Sequence, residues 1–112
     1  MNDDSVVQNS TLFPTRKVKN LGSQGQRRLL AMMKAISHPM RFEILQFLLM
    51  HPNCYTKDVV DHLPISQATV SQHIKQLREA GWVASEAKCQ MTCHWLDEEN
   101  IIWFKDTVGE IF

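Results

Sequence analysis

Apolar residues recur at helical intervals along most of this chain. Between Gln24 and Ile36, the positions Leu29, Leu30, Met32, Met33 and Ile36 predict a helix that is apolar on more than one side. His38-Pro39 interrupts the pattern. Proline suits the first turn of a helix, where its missing N–H would be unpaired anyway, so a second helix is expected from Pro39 to about Met50. Phe42, Ile44, Leu45, Phe47, Leu48 and Leu49 give it a broad surface to bury, and His51-Pro52-Asn53 ends it. Thr56 is a candidate N-cap for a short third helix, Lys57 to His62, with Asp58 near the positive end of its dipole and Val59, Val60 and Leu63 inward. Pro64-Ile65 makes a turn, Ser66 caps a fourth helix, and Gly81 stops it where a left-handed residue is wanted. Trp82 to Ser85 and Met91 to Leu96 then predict two short strands around a turn at Ala87 to Gln90. Asp97 caps a last helix, Glu98 to about Ile111. The expected class is mainly α with a small β-hairpin, in the order α-α-α-α-β-β-α. Residues 1–23 carry no apolar period and include Pro14 and Gly22, so they are expected to form a flexible N-terminal arm ahead of one domain, 24–112.

The fourth helix poses the functional question. Its inward stripe is thin, only Val70, Ile74 and Leu77. The other side presents Gln67, Ala68, Ser71, Gln72, Lys75 and Arg78, small or amide side chains in place of the Glu/Lys mixture of an idle solvated face. A short helix, a turn of about three residues and a longer helix with a polar leading face is the helix-turn-helix pattern, and a hairpin after it would be a wing.

The stretches KAISHPMRFEILQFL and KDVVDHLPISQATVSQHIKQLREAGWV resemble the ArsR/SmtB family of winged-helix transcriptional repressors. Ser66, Gln67, Thr69, Val70, Ser71, His73, Ile74, Leu77, Ala80 and Gly81 fall on that family's recognition-helix pattern, and the similarity runs from about Leu29 to Leu96. The resemblance implies a winged helix-turn-helix domain that binds double-stranded DNA, a palindromic operator, and represses transcription until a signal (metal, thiol oxidation or another) releases it. On that reading Gln67 offers its amide to adenine, Ser71 adapts to several bases, and Ala68 touches a thymine methyl or permits close approach. Gln72 shares their face, while Ser66, Thr69, Lys75 and Arg78 are better placed for phosphates, which position without specifying sequence. The bland reading leaves Ser66 as a cap only, with Thr69 and His73 packing beside the stripe. Arg41, at a position that is a hallmark of the family, divides between a structural ion pair and a DNA contact. The expected wing departs from the family: Glu86, Ala87, Lys88, Cys89, Gln90 and Met91 stand where arginines are usual, so wing contacts are doubtful.

Charge and composition modify this picture only in part. The chain of 112 residues has no net charge, which argues against a nucleic-acid partner until the distribution is considered. No acid lies between Ser5 and Phe42, where Arg16, Lys17, Lys19, Arg27, Arg28, Lys34 and Arg41 are basic, while five acids from Asp97 onward face only Lys105. The first and last helices carry more apolar surface than one small core covers, so Leu29, Met32, Met33, Ile101, Phe104, Val108 and Ile111 are expected to form a two-fold dimer interface, with Ile102, Trp103 and Phe112 off that stripe. Members of the resembling family dimerise in this way.

No cofactor is assigned, and a metal ion stays open although the residues of the family's usual metal sites are absent. The family's Cys-x-Cys metal pair corresponds to Tyr55 and Lys57 here, and its last-helix zinc pattern to Asp97, Glu99 and Glu110, with carboxylates replacing both imidazoles. Cys54, Cys89 and Cys93, with His94 adjacent, remain thiol candidates for a soft-metal or redox site, against the plainer role of small buried hydrophobes. Cys54 and Cys93 can approach if the segment near Cys54 runs beside the second wing strand. The acidic start and the lack of any long apolar run predict a cytoplasmic protein with no membrane partner. An enzyme is not expected: the chain has no phosphate-cradling glycine loop, nucleophile elbow or His-Glu-x-x-His helix. The rival is a winged helix used only for protein–protein contact, which would more often show exposed Leu, Phe or Met on the fourth helix.

Overall fold

The computed structural model describes residues 14–112. The helices are α1 (Gly22–Ile36), α2 (Pro39–Met50), α3 (Thr56–His62), α4 (Gln67–Ala80) and α5 (Glu98–Ile111), and the strands are β1 (Cys54–Tyr55), β2 (Val83–Lys88) and β3 (Met91–Leu96). Every expected helix is present, and the helices and the hairpin follow the expected order.

Three local features differ from expectation. The sheet has three strands, in the order β1-β3-β2, all antiparallel. The extra strand β1 is two residues long, too short for any period to show. Tyr55, not Thr56, is the N-cap of α3, and the Asp58 carboxylate accepts from the Tyr55 N–H at 2.8 Å. The hairpin turn is also tighter than expected: β2 runs to Lys88, which pairs with Met91, so only Cys89 and Gln90 form the loop. Both have positive φ, 49° and 67°. A two-residue turn of that hand matches strand twist but normally uses Asn-Gly or Asp-Gly, so Cys-Gln gave no sequence signal for it.

The core lies where α1, α2, α3 and α4 meet. Met32, Ile44, Leu48, Val59, Val70, Ile74 and Leu77 are all but fully buried there. Each such side chain stabilises the domain by about 1.5–3 kcal/mol. Trp82 closes the core from the hairpin side: its indole N–H donates to the Met32 carbonyl at 2.8 Å, and its ring tilts against Phe104 with centroids 4.8 Å apart. Gly81 ends α4 in the left-handed region at φ 105°, and Trp82 N–H reaches back to the Leu77 carbonyl at 2.9 Å.

Two exposed polar contacts join the described part of the arm to the end of α5. The Arg16 guanidinium donates to the Phe112 backbone oxygen, and Lys19 pairs with Glu110 at 3.0 Å, so residues 14–20 meet the end of α5. Residues 1–13 of the expected arm lie outside the described residues. Among the described residues no helix is long and apolar enough to cross a membrane.

Candidate nucleic-acid interface

α4 stands on the core by the stripe the sequence indicates. Val70, Ile74 and Leu77 are buried, and at 3.6 residues per turn this sends Ala68, Gln72, Lys75 and Glu79 directly outward. Gln67, Ser71 and Arg78 flank the side facing the wing, where Arg78 reaches Ser85 of β2 at 3.4 Å. Thr69, His73 and Gln76 flank the side facing α2. All eight residues singled out on this helix (Ser66, Gln67, Ala68, Thr69, Ser71, Gln72, Lys75 and Arg78) are exposed, and no large apolar side chain of α4 is.

Several of them also have structural work. Ser66 is the N-cap, its Oγ accepting from Thr69 N–H at 3.2 Å, and the Ser66 and Thr69 hydroxyls are 3.0 Å apart. His73 packs as the bland reading had it. Its ring lies 4.7 Å from that of His38, and burial, with His38 and Arg41 nearby, lowers its pKa. Arg41 forms no ion pair among the described residues; its Nε donates to the Ala35 carbonyl at 2.6 Å, tying the start of α2 to the end of α1.

The two ion pairs among the described residues are Lys19–Glu110 and Lys57–Asp61, so Lys75 and Arg78 have no carboxylate partner among them. Glu79 is the one acid on the outward line of α4, set a turn beyond Lys75. The wing tip adds one exposed lysine, Lys88, against one exposed acid, Glu86.

The thiols divide. The segment around Cys54 does run beside the second wing strand, with Cys54 opposite His94 and Tyr55 opposite Cys93. Cys54 and Cys93 are both buried, and burial, then the Asp58 charge, pushes the Cys54 thiol up to about 11. A thiol held protonated at neutral pH is a poor nucleophile and metal ligand. Cys89 is exposed at the wing tip. Among the described residues no three His, Cys, Asp or Glu side chains converge as a metal site. Of the last-helix acids, Asp97 caps α5 by accepting from Asn100 N–H at 3.3 Å, and Glu110 holds Lys19.

The residues expected at a dimer interface separate as well. Leu29 and Met32 are 5% and 0% exposed, inside the protomer's own core, and have no surface to offer a second copy. This corrects their assignment. A helix apolar on more than one side spends its first side on its own core. Ile101 and Phe104 pack against that core, with Met33, Val108 and Ile111 half-buried. The apolar side chains left outside are Leu30 on α1, 51% exposed, and Ile102 on α5, 53% exposed. Sequence periodicity placed Ile102 off the stripe and passed over Leu30, because both lie on the second, outer side.

A core-mounted helix with a polar outer face, preceded by a short helix and followed by a β-hairpin wing, defines the winged helix-turn-helix class of regulator. The model of the bacterial regulatory proteins of the arsR family matches residues 38–85, from the N-cap of α2 into β2. The chain is 31% identical over 68 residues to the transcriptional repressor PagR of Bacillus anthracis, covering 61% of this chain and 66% of that one. The transcriptional regulator HlyU of Vibrio vulnificus superposes with a TM-score of 0.58 at 25% identity, over 77% of this chain and 90% of its own. The homodimeric winged helix-turn-helix DNA-binding domain Mb0332 of Mycobacterium bovis gives 0.67 at 14% identity, over 85% and 88%, a likeness of fold. Residues 38–85 thus carry the regulatory domain of the bacterial arsR family.

Proposed function

We propose that this protein is a homodimeric, sequence-specific double-stranded DNA-binding repressor and not an enzyme, with α4 as the helix that enters the major groove. The observation that carries the reading is the outer face of α4: amide, hydroxyl and cationic side chains, all exposed, with no large apolar residue among them. Amides and hydroxyls match the donor and acceptor pattern of base edges, and unpaired cations match phosphates. A helix that docked on protein would carry aromatic or aliphatic anchors. The exposed large apolar residues among the described residues lie elsewhere: Phe42, Leu49 and Met50 on α2, Leu30 on α1, Met91 on the wing, Ile102 on α5, and Val18 and Phe112 near the two ends.

The dimer follows from the outer lines of α1 and α5. Leu30 and Ile111 line one hollow with Val18, and Ile102 lies on α5 seven residues before Gly109. Gly109 is a glycine inside a helix with nothing within 4 Å of where its Cβ would be, so the protomer has no steric need of it. A glycine there costs helix stability and permits close approach of a second helix. A two-fold axis at this line sets two recognition helices toward half-sites of a palindrome. The PagR relative is a repressor and the Mycobacterium bovis neighbour a homodimer, which supports the same reading of this chain.

Selection of bound fragments from random duplex DNA tests the proposal. The expected result is an inverted repeat whose half-site centres lie about one helical turn apart, 10–10.5 base pairs, or a multiple of it, with log affinity falling linearly with log salt. Absence of duplex binding at low salt overturns it.

A further inference from the structure

Beside α4, on the wing side, lies a polar cavity of about 230 Å³ that shares only Ser71 with the base-reading face. Thr56, Ser71, Ile74, Arg78, Thr92 and His94 line it. Apart from Ile74 its walls are a guanidinium, three hydroxyls and an imidazole, with no carboxylate. Water fills liquid at about 30 Å³ per molecule, so there is room for a phosphate group with some of its hydration.

His94 organises this wall. It is 2% exposed, yet both ring nitrogens are bonded: Nε2 to Thr56 Oγ at 2.7 Å and Nδ1 to Ser85 Oγ at 2.6 Å. A guanidinium only donates, so the 3.4 Å contact from Arg78 makes Ser85 Oγ an acceptor. In the tautomer with the ring proton on Nε2, the Ser85 hydroxyl donates to Nδ1 and Nε2–H donates to Thr56 Oγ1. The Thr56 hydroxyl proton is left over. Thr56 makes no other side-chain hydrogen bond among the described residues, and it lines the cavity. In that tautomer the chain Arg78, Ser85, His94, Thr56 runs in one direction and ends in a donor beside the cavity, on the same wall as the Arg78 guanidinium.

We propose that this cavity is a phosphate-oxyanion site, with Arg78 supplying charge, Thr56, Ser71 and Thr92 supplying hydroxyl donors, and buried His94 acting as the positioning residue that aims Thr56. Its occupant during DNA binding is one backbone phosphodiester per half-site, which rests on the repressor reading above. A free phosphate group shares the same chemistry.

Two arms test it on the full chain. In the first, each phosphate of the selected duplex is replaced singly by an uncharged methylphosphonate. At one position per half-site the replacement should weaken the wild type about tenfold, and it should cost Thr56→Val and Arg78→Ala much less, because their contact is already gone. Arg78 is exposed, so Arg78→Ala folds; Thr56→Val keeps the side chain's shape but leaves His94 Nε2 without its partner, so a thermal melt accompanies it, and Arg78→Ala carries the test if Thr56→Val is unfolded. In the second arm, inorganic phosphate is titrated while the amide signals of Thr56 and Thr92 and the Arg78 Nε signal are followed by NMR. Saturable shifts that Arg78→Ala abolishes support the site. Coupling in the first arm assigns it to DNA; a response in the second arm alone assigns it to a free phosphate group. No coupled position and no saturable shift overturns the proposal. Failure to bind any duplex would refute the repressor reading, while the phosphate titration still decides on the cavity.

Discussion

Two substitutions on the outer line of α5, Ile102→Ala and Gly109→Ala, separate a dimer helix from a merely solvated one. Ile102 is 53% exposed, so about half of the 1.5–3 kcal/mol available to a fully buried aliphatic is still unspent in the protomer. A two-fold interface counts it twice, which returns to about 1.5–3 kcal/mol per dimer. At about 1.4 kcal/mol per factor of ten, Ile102→Ala should raise the dimer dissociation constant roughly 10- to 100-fold. Gly109→Ala should act with two opposite signs. An added methyl meets nothing within 4 Å, so the protomer helix should gain up to about 1 kcal/mol, less near the frayed end. If α5 crosses its copy at this glycine, the same methyl forces the helices apart and the dimer weakens. Sedimentation across a concentration series reads the dissociation constant, and thermal melts at low concentration read the protomer. A dissociation constant unmoved by both substitutions would refute the outer line of α5 as the interface. Phe104→Ala is the contrast: its ring packs under Trp82, so it should cost about 3 kcal/mol of protomer stability whatever the dimer does.

On the recognition helix, Gln67→Ala should cost about 1–3 kcal/mol on the selected site and relax preference at one base pair, whereas Lys75→Ala should weaken all sequences alike and reduce the salt slope by about one; the reverse pattern in a binding-site competition assay would mean that the helix is rotated differently in the groove. His94 is held near pKa 4, mainly by burial and then by Arg78. The folded state then binds fewer protons than the unfolded chain between pH 6.5 and 4, so stability should fall by about 3 kcal/mol as pH drops through that window, a loss that denaturant titrations should find reduced in His94→Gln. Trp82→Phe strips the donor from the buried Met32 carbonyl and should cost about 1–3 kcal/mol in the same titrations.

The helices were legible in the sequence because their signals are local. Pro39, Ser66, Gly81 and Asp97 mark boundaries by backbone chemistry that needs no partner, and Val70, Ile74 and Leu77 mark the buried side of α4 by spacing alone. Once that stripe is fixed, rotation at 3.6 residues per turn exposes the polar face, so the eight residues of the candidate DNA surface could be named without a fold.

Tertiary structure decided the rest, because those features join residues distant in the chain. β1 exists only by pairing with β3 some forty residues later, and the same pairing sets Cys54 opposite His94. Apolar periodicity could count the sides of α1 but not say which one the protomer would use, so Leu29 and Met32 went inside and Leu30 stayed out. The cavity under the wing is the extreme case. Thr56, Ser71, Arg78, Ser85, Thr92 and His94 come from two helices and two strands, show no spacing pattern, and meet only because α3, α4 and the hairpin pack around one buried imidazole.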